Sequence, residues 1–213
     1  MHVSAALNKY DTLRTQVFEG RGSLTLIRKL FLALAMAAAT GLMAQMRLPL
    51  PWTPVPVTGQ VLAVLLSGVL LGGRFGAFSQ LFYLVLGALG MPWLSGFAAG
   101  AGVLAGPTGG YLLGFVPLAY FVGRIIENGP GYRTFPRLYA VMASAVLLFV
   151  YLPGVLQLGF WTRGLTGSFP AIDRLLTAGA LPFLPGEAAK VLYAALFARA
   201  VCPHYGSETG KRL

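Results

Sequence analysis

Apolar residues in this chain fall into six long runs, Leu30–Met46, Gly59–Leu71, Phe75–Gly90, Gly109–Val122, Leu138–Phe160 and Ala188–Val201. Each predicts a helix, although several fall short of the ~20 residues that a membrane crossing needs. The second and third runs are separated only by Gly72, Gly73 and Arg74. That break predicts a helical hairpin at one membrane face, because the alternative, one long helix, would leave Arg74 at mid-membrane. Pro153 falls inside the fifth run, where its missing backbone donor predicts a kink or an end.

Composition turns these runs into membrane helices. Of 213 residues, 56% are hydrophobic and 10% charged, with a mean hydropathy of +0.72, whereas a soluble domain carries about 25% charged residues. The fold class expected is an all-α membrane protein, a six-transmembrane-helix bundle over residues 30–201. It lies between an N-terminal arm, 1–29, and a tail, 202–213, and leaves no room for a soluble catalytic domain. The polar start lacks a signal-peptide core and reads as a cytoplasmic leader, either amphipathic or without order.

The net charge of +10 would suggest nucleic acid in a soluble protein, but here the cations lie mostly between apolar runs and encode orientation. With six crossings and a cytoplasmic N-terminus, the inside carries Lys9, Arg14, Arg21, Arg28, Lys29, Arg74, Arg124, Arg133, Arg137, Arg199, Lys211 and Arg212. The outside carries Arg47, Arg163 and Arg174, and Lys190 is left over. Both termini are therefore expected in the cytoplasm and the chain in the cell membrane. The outer connections 47–59, 91–109 and 161–186 are rich in Pro, Gly, Trp and Phe and poor in charge. Loops of that kind gain more by folding onto the bundle than by hydration, which predicts a lid or cup.

Candidate chemistry is sparse. His2 and His204 lie in opposite tails, Cys202 is the lone cysteine, and no His, Cys and carboxylate grouping has metal-ligand spacing. The glycine-rich segments GGRFGAFSQ and GPTGGYLLGF lack the Gly-Lys-Ser/Thr ending that cradles nucleotide phosphates. What stands out is LPGEAAKVLYAALFAR, 184–199, where Glu187 and Lys190 project from one side of a helix near its outer end. Such a pair is either a dipole-favoured acid beside a snorkelling lysine or a ligand grip. A lysine outside, against the charge rule, favours the second. In GPTGGYLLGF, Gly109 and Gly110 bare the backbone beside Tyr111, which suits a flat polar ring, and Thr108 is placed to cap the helix. Small residues stripe the first run as Ala33, Ala37 and Gly41, and again as Ala35 and Ala39, for internal packing or for docking another membrane subunit.

Taken in order, PVPVTGQVLAVLLSGVLLGGRFGAFSQLFYLVLGALGMPWLSGF, GPTGGYLLGF and FLPGEAAKVLYAALFAR resemble the BioY family, the biotin-binding S components of energy-coupling factor (ECF) vitamin transporters. The likeness runs from about Leu30 to Arg199. It implies a six-helix bundle with biotin held near the outer face and no enzymatic activity or cofactor. It also implies a transmembrane coupling subunit and two cytosolic ATPases as partners, with the alanine-rich first helix as the docking face. Carried over by position, the family's binding residues fall on Gln60, Tyr83, Gly106 to Tyr111, Glu187 and Lys190. The family's acid is usually Asp, and the longer Glu187 leaves the depth of its contact open.

Biotin's fused ring carries a urea, with two N–H donors flanking one carbonyl, and its tail ends in a carboxylate. Glu187 could accept from the N–H groups while Lys190 donates to the carbonyl, or Lys190 could meet the tail instead. Tyr83, Trp93 and Tyr111 would pack on the ring, and Gln60 would add a hydrogen bond. The competing functions are an intramembrane transferase using Glu187 as base, and a scaffold subunit without ligand.

Overall fold

The computed structural model describes residues 10–203 apart from 11, 13, 17 and 19. His2, Lys9, His204, Lys211 and Arg212, with the rest of the tail beyond 203, lie outside the described residues. Helices carry nearly all of the bundle: α1 (Leu26–Gln45), α2 (Gln60–Ala88), α4 (Gly109–Leu113), α5 (Phe115–Asn128), α6 (Phe135–Val146), α7 (Leu152–Thr166) and α9 (Leu184–Val201). Two short helices, α3 (Gly102–Ala105) and α8 (Ile172–Gly179), lie in the connections. Among the described residues five stretches, 26–45, 60–88, 109–128, 135–166 and 172–201, are long and apolar enough to cross a membrane.

The Gly72 break is where α2 folds back. Gly72 has φ 78° and ψ 177°, outside the helical region, a backbone that residues with a Cβ rarely adopt. The two halves lie side by side: Gln60 bonds the Tyr83 hydroxyl at 2.8 Å, Gln80 bonds Ser67 at 3.1 Å, and a Cβ on Gly76 would stand 2.9 Å from the Gly68 Cα. Helix α5 packs on this hairpin backbone to backbone, with Gly68 against the Ala119 carbonyl and Gly123 against Gly73.

Helix α1 closes the bundle from the other side and corrects one sequence expectation. Ala33, Ala37 and Gly41 are buried within this chain's own core, and Gly41 sits under Trp93. Their small side chains therefore serve internal packing and are not open to a partner. Ala35 is exposed and Ala39 half-buried, on a face shared with Ile27, Phe31 and Leu42, each more than two-thirds exposed. A buried polar knot ties α1 to the hairpin, with the Gln80 amide donating to Ser67, Ser79 and Thr40.

Pro153 acts as its chemistry requires without ending the span. A π-turn at Leu147–Tyr151, in which the Leu152 N–H donates to the Leu147 carbonyl, absorbs the missing donor between α6 and α7. Helix α7 then runs to Thr166, and α8 occupies 172–179, so the stretch 161–186 is more helical than its Pro and Gly content suggested.

The other two connections fold onto the bundle. Arg47–Leu48 pairs antiparallel with Val57–Thr58, closing a proline-rich loop. The segment after Gly90 is clamped by two amides. Gln45 donates to the Trp93 and Leu94 carbonyls and accepts from the Phe97 N–H, while Gln157 donates to the Leu104 and Gly106 carbonyls. The described residues of the arm, between 10 and 23, are helical and strapped across the helix ends remote from these loops. There Arg21 donates to the Val69 carbonyl and stacks on Phe18, over whose ring Arg133 also lies.

Candidate functional site

Beneath the two loops lies a cavity of about 250 Å³. Its rim comes from the proline loop, with Arg47, Thr53 and Pro54 to Thr58, and its floor from Gln60 and Val61 of α2. The walls are Thr108, Tyr111, Leu112 and Phe115 on one side and Val150, Tyr151, Phe183 and Glu187 on the other. This mixture of apolar surface with a few converging polar groups is how small-molecule sites are built.

Glu187 is the acid of the wall. It lies in the first turn of α9, which begins at Leu184, and its side chain is 10% exposed. The Lys190 ammonium donates to its Oε1 at 2.5 Å. The second oxygen, Oε2, is buried and makes no hydrogen bond of normal geometry, although the Tyr151 hydroxyl faces the Glu187 carboxylate. A buried acceptor left in this state costs about 1–3 kcal/mol, more when charged. The carboxylate is therefore held half satisfied at the edge of an apolar hollow. Lys190 stands behind it and is not part of the cavity wall.

Gln60 is fixed at both ends. Its Oε1 accepts from Thr58 Oγ1 at 2.8 Å and its Nε2 donates to the Tyr83 hydroxyl at 2.8 Å, which leaves the amide one further N–H. Tyr83 and Trp93 do not reach the cavity. Tyr83 is fully buried behind Gln60, and Trp93 Nε1 donates to its carbonyl at 2.9 Å with ring centroids 5.6 Å apart. Their role is to hold Gln60 from behind.

The GPTGGY segment divides its work. Thr108 lines the cavity, but its side chain makes no cap hydrogen bond to α4. Gly109 and Gly110 are buried away from the hollow, where a Cβ would overlap the Leu104 carbonyl at one and the Pro153 carbonyl at the other. Gly109 lets α4 close on the α3 backbone and Gly110 lets it touch the α7 backbone, and these contacts set Tyr111. The Tyr111 hydroxyl donates to the Gly179 carbonyl at 2.7 Å and its ring meets Tyr151 edge-on.

Arg47 and Tyr151 are polar lining residues that the sequence alone did not assign to the site. Arg47 lines the cavity at its mouth, its guanidinium rests on the bare Cα of Gly96, and no described carboxylate pairs with it. In the sequence it counted only as an outside charge. The local signal is its position directly before the proline loop, which carries no information on where a side chain will point.

The model of the BioY family matches residues 12–207. A probable biotin transporter BioY of Methanothermobacter thermautotrophicus is 40% identical over 145 residues, covering 67% of this chain and 92% of that protein. The biotin transporter BioY of Rhizobium etli is 34% identical over 182 residues, 80% of this chain and 89% of the other. Among solved structures, the S component for biotin from an ECF-type ABC transporter superposes with a TM-score of 0.71, covering 86% of this chain and 96% of that one at 24% identity, which establishes the shared fold. The match of the family model over nearly the whole length, together with relatives of this identity and coverage, means that the chain belongs to the BioY family.

Proposed function

We propose that this chain is the biotin-binding subunit of an ECF-type uptake system, working by binding and release without catalysing a reaction. The relatives are transporters of biotin by name, and the half-satisfied Glu187 carboxylate on the cavity wall is the observation that carries the reading here. Biotin's ureido N–H offers the buried Oε2 the donor it lacks. The free N–H of Gln60 faces the ureido carbonyl, and Tyr111 and Tyr151 pack on the ring. Lys190 neutralises Glu187 from behind, and Arg47 at the mouth takes the valerate carboxylate, a task suited to a guanidinium fork. Of the two poses open in the sequence, Lys190 on the ring or on the tail, this replaces both with a lysine that supports the acid.

Six crossings, with the two halves of α2 as separate passages and both termini in the cytoplasm, complete the proposal. A coupling membrane subunit and two cytosolic ATPases are the partners expected. The exposed Ala35 side of α1 replaces the buried Ala33, Ala37 and Gly41 as the face available to that subunit.

Biotin and biotinamide binding to the purified chain test the site together. Glu187→Gln is expected to weaken both ligands by about 1.5–3 kcal/mol, roughly 10- to 150-fold. Arg47→Gln should weaken biotin by about tenfold and leave biotinamide, which lacks the carboxylate, nearly unchanged. Full biotin affinity in Glu187→Gln would remove the carboxylate from the site, and equal losses for both ligands in Arg47→Gln would make that residue a loop support. A covalent product formed from biotin would instead favour a transferase, and absence of binding a scaffold.

A further inference from the structure

At the opposite end of the bundle lies a second hollow, of about 590 Å³, between the arm, α1, the Gly72 turn and the end of α5. Among the described residues four cations line it, Arg21, Lys29, Arg74 and Arg124, against one acid, Glu127. Their hydrogen bonds do not cancel that charge. Arg21 donates to the Val69 and Leu70 carbonyls and Lys29 to the Gly22 carbonyl, all neutral acceptors. Arg124 lies 3.8 Å from Glu127, and Arg74 is exposed with no partner among the described residues. Apart from Asn128 the rest of the wall is apolar, and Leu24, Leu32, Leu71 and Phe75 in it are only partly covered.

A soluble anion would find the charge it needs here but no use for the greasy wall, and an acyl chain alone would have no use for the arginines. Both features meet in one molecule at a membrane surface, since basic pockets between membrane helices attract acidic lipid head groups. The pocket sits at that depth, because its residues come from the first two turns of α1, the turn of the α2 hairpin and the last two turns of α5. We infer that this hollow holds one phospholipid with an anionic head group, its phosphate among Arg74, Arg124 and Lys29 and an acyl chain along Leu32 and Phe75. The lipid would thereby join the arm to the hairpin, since Arg21 and Gly22 belong to the first and Arg74 to the second.

The purified full-length chain, stripped in mild detergent, is titrated with phosphatidylglycerol, with phosphatidylcholine of the same acyl chains and with glycerol 1-phosphate, following the unfolding midpoint and lipid retention by native mass spectrometry. Phosphatidylglycerol should raise the midpoint and be retained at least about tenfold better than phosphatidylcholine, and glycerol 1-phosphate should do neither. Arg74→Gln and the double variant Arg74→Gln/Arg124→Gln should keep the lipid-free midpoint while losing the preference stepwise. Equal effects of the two lipids, a full effect of glycerol 1-phosphate, or an unchanged preference in the double variant would each overturn the inference. So would a double variant that keeps its lipid but no longer assembles with its partner subunits, which would make the hollow a protein-docking surface.

Discussion

At 2.5 Å the Lys190 ammonium occupies one oxygen of Glu187, and the other is buried in a carboxylate that the Tyr151 hydroxyl faces, so removing either charge has a different consequence. Both side chains are at least 85% covered, and an uncompensated charge at that depth costs about 3–5 kcal/mol, whereas replacing both partners is often neutral. Lys190→Met is accordingly expected to lower stability by about 3 kcal/mol, and the double variant Glu187→Gln/Lys190→Met to recover most of that loss without recovering biotin binding. Unfolding midpoints of the single and double variants measure this, and a Lys190→Met chain as stable as the parent would show that the pair is not one neutral unit. The pair could be read from the sequence because charge is rare in these helices. Arg47 could not, since a cation outside the bundle serves topology and ligand equally well until a loop fold aims it. Tyr83 and Trp93 mark the converse limit: aromatic type reveals burial, but not which side of Gln60 a ring will take.

Among the helices, close backbone contact does what large side chains do elsewhere. Pro153 gives no N–H to the Phe149 carbonyl, and Gly114 at the α4–α5 joint packs its bare Cα against that oxygen. Gly110 does the same against the Pro153 carbonyl, so the proline of one span is matched by glycines of its neighbour. Gly110→Ala and Gly114→Ala would each press a Cβ into a backbone oxygen that cannot rotate away, with an expected cost of about 2 kcal/mol or more. The same contacts place Tyr111, so biotin binding should fall with them. Gly186→Ala is the control: nothing lies within 4 Å of the added carbon, the position is in the first turn of α9, and a gain of up to about 1 kcal/mol is expected from helix propensity. Thermal midpoints that rank Gly186→Ala at or below the other two would refute this account. The turn at Gly72 could be read from the sequence because two glycines and a charge interrupt two apolar runs. The π-turn and the helical path of 161–179 could not, because a proline signals a disturbance without saying whether the helix ends or absorbs it.

For the molecule as a whole, the two halves of α2 decide the topology. Read by length and hydropathy alone, 60–88 is one span, which would put Trp52 and Leu89 on opposite sides of the membrane. Folded back at Gly72, the halves reach only about 18 and 24 Å at 1.5 Å per residue, less than a full bilayer core. Their paired side chains nevertheless return Leu89 to the level of the loop that holds Trp52, and both residues are well exposed. The charge count favours the same arrangement, since only an even number of crossings keeps Arg199 on the side of Arg28 and Lys29. Cysteine labelling in intact cells separates the two cases on a Cys202→Ser background. The native thiol is buried, and burial pushes its pKa up, so it stays protonated and nearly silent in any event. Trp52→Cys, Leu89→Cys and Ser168→Cys are expected to react with an impermeant maleimide from outside, and Ser23→Cys, Arg74→Cys and Asn128→Cys only after permeabilisation. If Leu89→Cys is protected while Trp52→Cys reacts, the hairpin does not recross, the bundle has five spans, and the binding cavity and the basic hollow no longer lie on opposite sides of the membrane.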